Sequence, residues 1–169
     1  MFSLTTLVLA FAALIVAAQA MSRSNDAKRE VAQLSAGGAV ATSGTVHLQE
    51  FAVLPSSLQY RAGKVTLSAK NVGTMTHEMV LVRAAGVGAL PKVTVAGGER
   101  VVGDVDEEAV AKADTIGETG DVKVRQTVTK TFTLTRGTYV MFCNIDDKLP
   151  DGTVVSHFQR GMSATITVQ

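Results

Sequence analysis

The sequence predicts an all-β sandwich with one short inserted helix. Short alternating segments recur at regular spacing, Val, Ile and Thr are enriched in them, and Gly marks the turns between. A chain of 169 residues suits one folded domain with a proper core once any targeting segment is removed.

The first twenty residues, "MFSLTTLVLAFAALIVAAQA", carry no charged side chain and end in Ala18-Gln19-Ala20. That ending has the A-x-A form of a signal-peptidase site, so residues 1–20 read as an export signal cleaved after Ala20. The alternative is an uncleaved anchor helix, since the run is just long enough to span a bilayer and Arg23, Lys28 and Arg29 follow it. Either way the remainder is expected outside the cytoplasmic membrane, periplasmic or extracellular. Residues 21–44 are polar and rich in Ala and Gly, a linker or pro-segment with a short helical pattern at "NDAKREVAQLSAGG". Residues 45–169 form the predicted domain.

Within it, "TVHLQEFAV" alternates as one strand, with Val46, Leu48 and Glu50 on one face and His47, Gln49 and Phe51 on the other. "PSS" is a turn. "GKVTLSAKN" turns Val65, Leu67 and Ala69 to one side, "HEMVLVR" is a further strand, and "TVTKTFTLT" offers Val128, Phe132 and Leu134 to the core. "GTYVMFCN" and "SATITV" complete the set. Only residues 104–114, "DVDEEAVAKAD", read as a helix, with acids in the first turn.

The net charge is +1, and basic residues are scattered among acids, which excludes a nucleic-acid partner. No G-x-S-x-G, P-loop or dinucleotide motif is present. A Cys/His hydrolase needs an activated thiolate with an orienting Asn or Asp, and Asn144 points to the strand face opposite Cys143. The chain is therefore not expected to be an enzyme. Cys143 is the single cysteine, which rules out an intramolecular disulfide and a Cys-rich zinc site within one chain.

Cys143 lies at the end of a strand, where period-two alternation turns it inward with Tyr139 and Met141. His157 and Met162 lie in the return segment before the last strand, and His77 opens a strand after the turn "NVGTMT". Strand ends at one pole of a sandwich converge, so the four side chains are expected to meet. One thiolate and two imidazoles make a trigonal set, and a thioether supplies a weak axial position, which suits copper. Zinc would gain nothing from the methionine. Taken singly, Cys143 reads as a small buried hydrophobe and Met162 as core filler; their order around the strands, with His77 and His157, changes that reading. His47, in mid-strand, reads as a structural or surface residue. Met75 and Met79 read as apolar cover around the metal, and Met141 as core. Asp146, Asp147 and Asp151 read as a solvated loop, partner-facing at most, without the spacing of a calcium loop.

The stretch "GTYVMFCNI…SHFQRGMSATITV" resembles the C-terminal ligand loop of cupredoxins, the type 1 blue copper proteins. "VHLQEFAVLPSSLQYRAGKVTLSAKNVGTMTHEMVLV" resembles their N-terminal half, in which an Asn and a Gly precede the first histidine ligand. The likeness runs from about Val46 to Val168 and is greatest to plastocyanin-like and sulfocyanin-like bacterial members. It implies a Greek-key sandwich. It implies one copper ion, cycling between Cu(I) and Cu(II), with His77, Cys143, His157 and Met162 as ligands. It implies a one-electron carrier, monomeric, meeting redox protein partners through weak, transient interfaces and touching a membrane only through a retained N-terminal anchor. The electron is expected to leave by the ligand edge that reaches the surface, often the second histidine, with Phe158 helping to shape an apolar docking patch there. The alternative is a copper carrier or oxidase-assembly accessory protein with no electron-transfer role; a third reading is a metal-free interaction domain. Two departures from the family stand out. "NIDDKLPDGTVVS" separates Cys143 from His157, where plastocyanin and azurin have only a few residues, and residue 78 is Glu, where azurin-like proteins often have Asn. "LPDGT" is a strong turn sequence, so the extra residues are expected to form an excursion that returns His157 to Cys143.

Overall fold

The computed structural model describes residues 40–98, 100–112 and 114–169; the signal and most of the linker read from the sequence lie outside them. The strands are β1 (Ser43–Gln49), β2 (Ala52–Pro55), β3 (Gln59–Tyr60), β4 (Gly63–Asn71), β5 (Val80–Arg83) and β6 (Thr115–Glu118). They continue with β7 (Thr127–Leu134), β8 (Gly137–Phe142), β9 (Asp146–Lys148), β10 (Val154–Ser156) and β11 (Ser163–Val168). One sheet has the order β2-β1-β4-β7 and the other β3-β11-β8-β5-β6, with β9 and β10 as a separate hairpin. The pairings are not all antiparallel: β1 runs parallel to β4, and β3 parallel to β11. No helix among the described residues is long and apolar enough to cross a membrane.

Alternation builds the core. Val46 and Leu48 of β1, Val65, Leu67 and Ala69 of β4, and Phe132 and Leu134 of β7 face Tyr139 and Met141 of β8 and Ile166 and Val168 of β11. His47, on the other face of β1, is exposed, as the alternation predicts. The runs "VLV" in β5 and "YVMF" in β8 do not alternate because these strands are covered on both faces. Val80, Val82, Val140 and Phe142 pack outward against Leu90, Val105 and Phe158 from the connecting loops.

Two elements differ from the sequence reading. "TVHLQEFAV" is not one strand: the chain reverses at Glu50 and Phe51, and β2 pairs back on β1, with Gln49 opposite Ala52. Alternation continues across that tight reversal, so the pattern alone does not reveal it. The helix expected over residues 104–114 is a single 3₁₀ turn, Glu107–Ala109. Its would-be first-turn amides are committed to other elements: Val105 N–H donates to Asn144 Oδ1 at 3.1 Å, and Asp106 N–H to the Pro91 carbonyl at 2.9 Å.

The start of β8 is fixed by Tyr139. Its hydroxyl donates to the Thr135 carbonyl at 2.8 Å and accepts the Thr135 N–H at 3.1 Å, closing the β7–β8 corner. Because Cys143 directly follows β8, this corner sets where the thiol emerges. Tyr139→Phe is expected to cost about 1 to 2 kcal/mol, since it removes both bonds and strands the Thr135 groups. Urea unfolding should read this as a lower midpoint at unchanged slope; an unchanged midpoint would count against the corner's role.

Candidate metal centre

Cys143 continues the inward face of β8, and its N–H donates to the Met162 carbonyl at 3.1 Å, one rung past the β8–β11 ladder. The two residues are therefore cross-strand neighbours; both are fully buried in the same core cluster. His77 precedes β5 in an isolated bridge, exchanging backbone hydrogen bonds of 3.2 and 2.7 Å with Val122.

Asn71 accounts for the local path to His77. Its buried amide donates to the Met75 carbonyl at 2.7 Å and the Val122 carbonyl at 2.8 Å, while its Oδ1 accepts the Gly73 N–H at 2.9 Å. The Asn and Gly of "NVGTMTH" thus have distinct tasks. Asn71 ties the turn to the Val122 segment that bridges His77. Gly73 leaves room for Glu50, whose carboxylate lies 2.6 Å from where a Cβ would stand. Asn71→Leu is expected to lose about 1 to 3 kcal/mol of stability by orphaning two carbonyls and one amide. It should also weaken metal uptake at His77, which denaturant titration and metal titration of the same variant would both register.

The residues between Cys143 and His157 form the hairpin β9–β10, as the turn sequence predicts. The turn closes with Leu149 N–H on the Thr153 carbonyl at 2.8 Å, and Gly152 adopts φ +84°. Pairing continues past the strands, with His157 N–H donating to the Ile145 carbonyl at 3.0 Å. The excursion therefore returns His157 to the level of Cys143. Met162 N–H then donates to the His157 carbonyl at 3.1 Å, closing the tight turn that leads into β11.

His77, Cys143 and His157 converge, and one donor atom from each lies within 4.8 Å of the other two. The Nδ1 atoms of the two histidines are 3.2 Å apart, and Cys143 Sγ is 3.4 Å from His157 Nδ1. All three side chains, like Met162, have 0% exposure. Burial pushes the Cys143 thiol up to about 12, partly offset by backbone N–H groups, including that of Glu78 at 3.4 Å from the sulfur. Burial, reinforced by the neighbouring His157, holds His77 below the ordinary histidine range. Glu78, which stands where azurin-like proteins often have Asn, supplies its backbone N–H to Sγ. Its carboxyl, pushed up to about 7 by burial, accepts the Asn144 N–H at 3.0 Å.

The far side of each ring meets a carboxylate. His157 Nε2 lies 2.7 Å from Asp147 Oδ2. His77 Nε2 lies 3.4 Å from Glu50 Oε1, out of hydrogen-bond alignment. Glu50 is anchored by the Thr74 and Met75 N–H groups at 2.6 and 2.7 Å. Burial works to raise its carboxyl, but the backbone amides outweigh that and hold it below the usual range. The two Nδ1 atoms and the sulfur face one another in a fully buried pocket, and a thiolate with two imidazoles is a donor set that could hold copper.

Neither Glu50 nor Asp147 was singled out from the sequence. Glu50 was read as mid-strand, and Asp147 as part of a solvated loop. A signal for Asp147 was present: a hairpin closed on "LPDGT" pairs Asp147 with Val155, which places His157 diagonally beside Asp147 on one face. Met141 is buried in the main core, as expected; Met79 is buried there too, and Met75 is half-buried. Asn144 faces away from the thiol, bonding to Val105 and Glu107. Two expectations are corrected. No edge of His157 reaches the surface, because Phe51 packs against its ring at 5.4 Å and Asp147 covers Nε2. Phe158 is no docking patch; it turns inward onto Phe142 at 5.8 Å, with Lys92 over its ring.

No protein-family model and no curated protein matches the sequence. Solved structures do. Auracyanin from the photosynthetic bacterium Roseiflexus castenholzii, in its dithionite-reduced form, is 20% identical with a TM-score of 0.50. That match covers 78% of this chain and 99% of the other. Auracyanin B is 23% identical with a TM-score of 0.51, covering 79% of this chain and 92% of its own. These likenesses cover most of each chain, and the chain has the cupredoxin fold.

Proposed function

We propose that the chain is a type 1 copper protein that carries single electrons between redox partners. The observation that carries this reading is the convergence of one donor atom each from His77, Cys143 and His157 within 4.8 Å of one another in a fully buried pocket. Copper bound there would supply a one-electron Cu(II)/Cu(I) couple. Met162, the cross-strand neighbour of Cys143, would be the candidate fourth ligand, through its thioether. The chain's own residues provide rigidity. Asn71 fixes the approach to His77, the hairpin fixes His157, and the Glu78 N–H points at the sulfur, so little need rearrange when charge changes. Burial of every donor also favours a carrier of electrons over a carrier of metal, since metal exchange between proteins needs accessible ligands. With residues 1–20 read as an export signal, the partners are redox proteins outside the cytoplasmic membrane, met through small, transient contacts.

Loading the full chain with Cu(II) should give one equivalent bound and an intense thiolate-to-copper charge-transfer band, absent in Cys143→Ser. Stoichiometric copper without that band would favour the metal-carrier reading, and no stoichiometric binding would contradict both. Reversible one-electron voltammetry should accompany the band. Met162→Leu should retain the band and raise the midpoint potential, because loss of a weak donor destabilises the more positive ion. An unchanged potential would make Met162 core filler.

A further inference from the structure

We infer that Asp147 is a positioning residue for this centre: its carboxylate holds the His157 ring proton on Nε2, leaving Nδ1 bare as a ligand with a negative charge fixed behind it. The inference rests on the copper reading above and adds a residue to it. Four observations carry it. The Nε2 to Oδ2 separation is 2.7 Å, a charge-assisted hydrogen-bond length. His157 is fully buried, and Phe51 covers its ring, so no water competes for Nε2. The other ring nitrogen, Nδ1, is the atom that faces Cys143 Sγ and His77 Nδ1. Finally, Asp147 is delivered by the β9–β10 pairing, which sets it diagonally across from His157.

The two carboxylates behind the rings are not equivalent. Glu50 spends its Oε1 on two backbone amides and stands 3.4 Å from His77 without an aligned bond. Of the two carboxylates, Asp147 is the one with a direct hydrogen bond to a ligand ring. A carboxylate bonded to a coordinating imidazole raises the basicity of the ring. The gain is larger for the more highly charged ion, so Asp147 should favour Cu(II) over Cu(I) and lower the potential. The long excursion between Cys143 and His157 thereby acquires a chemical task. Its side chain is 38% exposed, so Asp147 also links the buried ring to the surface.

The test compares the full wild-type chain with Asp147→Asn, Asp147→Ala and Asp147→Glu. Nitrogen-15 NMR of the metal-free wild type should show His157 protonated at Nε2 and bare at Nδ1, a readout that requires no copper. Asp147→Asn keeps an acceptor for the ring but removes the charge. It should weaken Cu(II) binding relative to Cu(I) by about ten- to a hundredfold, which raises the midpoint potential by roughly 60 to 120 mV. Asp147→Glu should restore most of the wild-type value, and Asp147→Ala should lose the single tautomer. A wild-type His157 protonated at Nδ1, or a potential in Asp147→Asn equal to that of the wild type, would overturn the inference and leave the copper reading standing. A wild type that shows the Nε2 proton but binds no copper would overturn the copper reading, and the ligand role of the pair with it.

Discussion

A thiol and two imidazoles converge at 3.2 and 3.4 Å in a fully buried pocket, and much of the surrounding architecture answers to that arrangement. Burying three polar groups against one another is costly when their bonding capacity is only partly used. The arrangement becomes favourable when a soft cation replaces the thiol proton and shares the lone pairs. Around it the protein supplies compensations: a backbone amide to the sulfur, one carboxylate bonded to the outer nitrogen of His157, and another anchored near that of His77.

The sandwich makes such a pocket possible by bringing independent segments to one pole. Cys143 arrives from β8, held at its origin by the Tyr139 corner. His77 arrives through a turn cross-linked by Asn71, and His157 through a hairpin that extends by one rung to Ile145. Each donor is positioned by backbone hydrogen bonds from a different element, so none can relax toward solvent without breaking a ladder. Coverage of β5 and β8 on both faces stiffens the two strands nearest the donors.

Much of this was legible in the sequence. Alternation in "GKVTLSAKN", "TVTKTFTLT" and "SATITV" gives the core faces, and the lone cysteine and two histidines singled out in the sequence are the three residues that converge. The turn chemistry of "LPDGT" gives the return of His157. What escaped was set by tertiary partners. The reversal at Glu50 and Phe51 hides inside an alternating run and delivers both a carboxylate and an aromatic cover to the site. The expected helix over residues 104–114 shrinks to one turn because Asn144 and Pro91 take its amides. Phe158, judged from its neighbour His157 as a surface patch, belongs to the second core cluster because both faces of β8 are covered, which no single-strand pattern announces.

The central claim is that one copper ion is held by these particular atoms. A crystal structure of the copper-loaded protein, with anomalous data collected at the copper edge, tests it most directly. The account predicts one anomalous peak per chain, within bonding distance of His77 Nδ1, Cys143 Sγ and His157 Nδ1. A peak elsewhere on the chain, or none in the pocket at full occupancy of copper in solution, would contradict it.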